Sequence, residues 1–76
     1  MQALFSEEFV RGTLKEIYTI YQVNTNLFQA KSELQILILW KVKNKWEGVS
    51  NRDDNMLVEN IGHSIDKFLT TGVQIT

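Results

Sequence analysis

Five apolar side chains run without a break from Ile36 to Trp40. In a chain of 76 residues this run, set within ELQILILWKVKNKW (33–46), restricts the available folds more than any other feature. As a helix it surrounds one whole turn with apolar groups, which a small three-helix monomer has difficulty covering. As a strand it alternates cleanly. Leu34, Ile36, Ile38, Trp40 and Val42 share one face, and Gln35, Leu37, Leu39, Lys41 and Lys43 share the other. The β-branched residues suit the strand. The abundance of Ala, Lys, Glu, Gln and Leu from residue 30 onward suits a helix, with Leu27, Ala30, Leu34, Leu37 and Ile38 as its stripe and Asn26/Gln29 or Ser32/Gln35 as capping pairs. A single strand cannot stand alone, and partner candidates are few: the terminal VQIT and a weaker NLFQA. The helix is therefore the preferred reading. Either way, the apolar density exceeds what one small subunit covers, and an intermolecular contact is expected.

The flanking segments point the same way. Ser6 is a helix cap with Glu7 and Glu8 in the first turn, Phe5 and Val10 occupy staple positions, and Val10, Leu14, Ile17 and Tyr21 recur at helical spacing, so the pattern predicts a helix over 7–23. After the polar breaks NTN (24–26) and GVSNRDDN (48–55), a third segment carries a stripe of Leu57 or Val58, Ile61, Ile65 and Phe68. Asp53, Asp54 or Asn55 caps it, Gly72 ends it, and Gly62 inside it either permits a close approach of another helix or has no structural role. The expected fold is thus mainly α: one small domain, residues 1–76, built as a three-helix or helical-hairpin bundle. The alternative is α+β, with residues 34–43 as a strand in a sheet completed by dimerisation.

A chain this short buries only about 60–65% of its unfolded surface, and such domains often draw support from disulfides, metals or association. There is no cysteine and one histidine, so disulfides are excluded and a zinc site is not expected. A 43% apolar fraction argues against disorder, and a net charge of −1 makes the whole chain no polycation. The start MQALFSEEF lacks the basic and apolar regions of a signal peptide, and no apolar run approaches membrane-spanning length. A cytoplasmic location without membrane contact is the expectation.

Candidate chemistry is sparse. His63 falls opposite Ile61 and Ile65 and reads as a surface histidine; Asp53 and Asp54 are better caps than a catalytic pair. Phosphate-binding glycine loops and nucleophile elbows are absent from the sequence. No enzyme activity and no cofactor are expected. The leading function is a small non-enzymatic protein-interaction module that self-associates or docks on a protein partner, with Leu37, Ile38, Leu39, Trp40 and Trp46 as anchors. The second is a small dimeric nucleic-acid-binding regulator using the ridge Lys41, Lys43, Lys45 and Arg52, since a local charge of +3 beside tryptophans suits phosphate and bases.

Trp46-Glu47-Gly48, placed between two segments in a small chain without cysteine, resembles the W-x-G turn of the WXG100 class of secreted helical hairpins. The resemblance implies a hairpin of two helices and a homo- or heterodimer. It covers those three residues and their position. The NTN break falls where that class has a continuous helix.

Overall fold

The structure, a computed structural model, describes residues 2–49 and 55–71. Five antiparallel strands are followed by one helix: β1 Gln2–Arg11, β2 Leu14–Asn24, β3 Leu27–Lys31, β4 Ile36–Val42, β5 Lys45–Val49 and α1 Asn55–Thr71. The strands lie side by side in chain order, each paired to the next. The sheet presents one face to α1, and among the described residues no element covers the other, the open face.

The expected helical bundle is therefore corrected to a β-meander with a single covering helix. Residues 7–23 form a hairpin, not a helix. Its turn is Gly12-Thr13, with Gly12 at φ +63°, a conformation glycine adopts without the Cβ penalty other residues meet. The hairpin hides a second periodicity beneath the helical one. Phe5 and Phe9 from β1 meet Glu16, Tyr18 and Ile20 from β2 on the covered face, a period-two pattern. Aromatic and β-branched residues then pack well on a pleated surface.

NTN is the next turn. Asn24 pairs with Leu27, the Asn26 amide donates to Asn24 Oδ1 at 3.0 Å, and Asn26 Nδ2 donates to the carbonyl of Lys41 at 3.1 Å. NLFQA supplies β3. The middle segment is the strand Ile36–Val42, and its partners β3 and β5 come from the same chain, so no dimer is needed to complete the sheet. The last hairpin turns at Lys43-Asn44, both at positive φ (51° and 66°), the geometry of a two-residue primed turn. Trp46-Glu47-Gly48 lies inside β5, so the helical-hairpin expectation built on it is corrected too. VQIT, Gly72, Asp53 and Asp54 fall outside the described residues.

The third segment is the helix its stripe predicts. Leu57, Val58, Ile61 and Ile65 are buried against the sheet, with Phe68 partly buried beside them. Fully burying side chains such as Leu57, Ile61 and Ile65 contributes about 1.5–3 kcal/mol each. Phe68 stacks on Phe5 with ring centroids 5.0 Å apart, and Trp46 meets Phe28 edge-on at 5.7 Å. Gly62 lets the helix approach, though what approaches is not another helix. A Cβ at that position would collide with the indole of Trp46, and one at Gly48 would lie 2.9 Å from a methyl of Val58. Two glycines, one in α1 and one in β5, thus allow the two elements to pack at short range. Among the described residues, no helix is long and apolar enough to cross a membrane.

Candidate interaction surface

Alternation along the strands decides which anchors reach the surface. Leu37 and Leu39 point to α1 and are fully buried, and Trp46 is buried beside them. These three belong to the core. Ile38 and Trp40 point to the open face and are half-buried. Around them the register brings together residues from distant parts of the chain. Ile38 lies between Gln29 and Val49, and Trp40 lies between Leu27 and Glu47. Ile36 faces Lys31, and Tyr21 faces Gln29. Ile17 and Val49 are 64% and 62% exposed there, and Ile36 45%.

Three of these surface residues, Val10, Ile17 and Tyr21, belong to the stripe that helical spacing selects; in the hairpin they project from the open face. Strict alternation within EIYTIY (16–21) would find the last two: Glu16, Tyr18 and Ile20 on one side, Ile17, Thr19 and Tyr21 on the other.

The basic ridge does not form a stripe. Lys41 is on the covered face, where its Nζ donates to Asp66 Oδ1 at 2.9 Å and lies 5.8 Å from the Trp46 ring centroid. Lys43 occupies the β4–β5 turn, Lys45 is on the open face, and Arg52 lies outside the described residues. Asp66 ties this corner together, because Trp46 Nε1 donates to its other oxygen at 3.0 Å. Burial pushes the Asp66 carboxyl up, but the hydrogen bonds from Trp46 and Lys41 and the Lys41 charge outweigh it, and the pKa falls below the ordinary aspartate value. His63, as the stripe implies, is exposed. Among the described residues, no group of three or more His, Cys, Asp or Glu side chains converges as a metal site would require.

A second feature of the open face is a cleft of about 710 Å³ between β2 and the loop joining β3 to β4. It exists because β3 ends early. Thr19–Lys31 is the last pair of β2 with β3, so among the described residues, 14–18 of β2 have a strand neighbour on the β1 side only. The loop 32–35 stands beside them and is held from below. Tyr18 Oη donates to Glu16 Oε2 at 3.0 Å, and Gln35 Nε2 donates to Tyr18 Oη at 2.8 Å. Ser32 Oγ donates to the same Glu16 oxygen at 3.1 Å and accepts from the amides of Leu34 and Gln35. Burial raises the Tyr18 hydroxyl pKa; hydrogen bonds from Gln35 and Ser32 partly offset this, and Glu16 adds to it.

No protein-family model matches the sequence, no curated protein matches it, and no solved structure matches the fold.

Proposed function

We propose that the chain is a non-enzymatic interaction module that pairs with a second copy of itself through the open face of its sheet. The observation that carries this reading is the second apolar layer, in which Ile17, Tyr21, Ile36, Ile38, Trp40 and Val49 occupy the uncovered side. A one-sided antiparallel sheet ordinarily alternates apolar-in with polar-out; here both sides are apolar at the centre.

Size and charge favour a second copy as the occupant. The molecule measures 30 × 26 × 21 Å, so its broad face offers about 600–800 Å², close to the roughly 800 Å² per partner of a stable protein interface. Apart from Lys31, which lines the cleft, charges occupy two corners of that face, and each corner holds both signs. Glu8 and Lys15 are diagonal neighbours across β1 and β2, and Lys45 and Glu47 stand two residues apart on β5. A two-fold axis can bring such a corner against itself or against the opposite one with lysine near glutamate in either case. Two sheets would pack about 10 Å apart at about 30°, with the helices outside. Apolar burial centred on Trp40 and Ile38 supplies affinity, and the corner charges set orientation and association rate.

Light scattering after size exclusion, at several concentrations and two salt levels, tests this. The expected result is twice the 8.8 kDa chain mass at both salts. Ile38→Lys, at the centre of the face, is expected to give a monomer with an unchanged circular dichroism spectrum. A natural chain that stays monomeric at every concentration overturns the reading.

A further inference from the structure

We infer that the cleft between β2 and the 32–35 loop is a binding site for a small organic anion with an apolar body, such as a medium-chain carboxylate. Its volume of about 710 Å³ lies within the roughly 300–1,000 Å³ range of small-molecule sites. The lining divides by chemistry. Ile17, the Tyr21 ring and Leu34 offer apolar surface, with Ile17 64% and Leu34 55% exposed. Lys15 and Lys31 bring two ammonium groups to the same cleft, and among the described residues neither has a carboxylate within ion-pair distance. Two carboxyl groups also line the cleft: Glu16, 5% exposed and engaged by Tyr18 and Ser32, and Glu33 on the loop, so at the accessible rim two ammonium groups face one exposed carboxylate and favour an anion. The Thr19 hydroxyl, shared with Ser6 at 2.9 Å, adds a polar group on the floor.

The loop forming the far wall is the second observation. Its position is held by a carboxyl group that is only 5% exposed, Glu16, through Ser32, and by Tyr18 and Gln35 beneath. Burying a carboxyl group is costly, and most surface loops are left to water instead. Here the buried network fixes Ser32, and Ser32 fixes the amides of Leu34 and Gln35, so the wall is formed before any ligand arrives. A pre-formed wall reduces the ordering cost of binding.

The cleft shares Lys15, Ile17 and Tyr21 with the face proposed to pair with a second copy, but Lys31 and the loop are its own. The test separates the two. Sodium octanoate is titrated into the natural chain and into Ile38→Lys, whose substitution lies outside the cleft, and amide shifts are followed by NMR. Octanol and acetate serve as the body and the head alone. Saturable shifts are expected at residues 15–21 and 31–34 in the Ile38→Lys chain, with octanoate about three- to tenfold tighter than octanol. Replacing both lysines (Lys15→Gln with Lys31→Gln) is expected to abolish that preference. If the preference survives the double substitution, if octanol binds as well as octanoate, or if millimolar octanoate leaves these residues unmoved, the inference is overturned. The mass of each chain in solution is read separately, so a failed dimer and a failed ligand site are distinguishable.

Discussion

The two faces of one sheet use the same strands for different ends. On β4, Leu37 and Leu39 are fully buried under α1, while Ile36, one residue away, is 45% exposed. Similar side chains on adjacent positions therefore carry unequal weight in folding. The covered face is closed by a helix, by ring stacking and by the Asp66 hydrogen bonds; the open face has comparable hydrophobicity at its centre and no covering element within the described residues. The difference teaches that apolar content alone does not say which residues hold a small domain together. The element that covers them does.

The sharpest way to break this comparison is to truncate one residue on each face. Leu39→Ala is expected to cost about 2–5 kcal/mol of folding stability, as a buried leucine does, whereas Ile36→Ala should cost well under half of that in a chain kept monomeric. Urea unfolding of both, in the Ile38→Lys background, reads the contrast; equal losses would mean that the open face is part of the folding core. Next in size is the close approach at the helix. Gly62→Ala gains about 1 kcal/mol of helix propensity but forces its methyl into the Trp46 indole. A net loss of about 1–3 kcal/mol is expected, with a changed Trp46 fluorescence. A gain would show that the helix can ride higher on the sheet.

The smallest effect concerns Asp66. Its folded-state pKa lies below the unfolded value of about 3.9. The stabilisation is thus complete above that value and is lost as pH falls through the folded pKa. Asp66→Asn is expected to cost about 1 kcal/mol at neutral pH and to flatten the acid limb of the stability profile. An acid limb identical to that of the natural chain would remove Asp66 from the account of the helix-covered corner.

How much of this was legible in the sequence differs from element to element. The stripe Leu57, Ile61, Ile65 and Phe68 has one periodic reading, and α1 follows it. In residues 7–23, two periods coexist. Val10, Leu14, Ile17 and Tyr21 have genuine helical spacing, but Phe5, Phe9, Tyr18 and Ile20 alternate, and Gly12 supplies the turn that makes alternation usable. Tertiary pairing of β1 with β2 settles the competition, and no local signal weighs that. The candidate surface was half visible for the same reason. Ile38 and Trp40 reach the open face, but Leu37, Leu39 and Trp46 do not, because burial depends on which side α1 occupies. The cleft depends on β3 stopping at Lys31 while β2 continues, a length mismatch that no motif encodes.

Strand order has a consequence for the chain during synthesis. Each strand pairs with the one made just before it, so the sheet can assemble as it emerges, hairpin by hairpin. Its cover comes last: from the end of β5 to the end of α1 the ribosome needs roughly one to four seconds at about 5–20 residues per second. Over that interval the nascent sheet has two sticky sides instead of one, so the covering helix also ends the period in which both sides of the newborn chain are open to chance encounters.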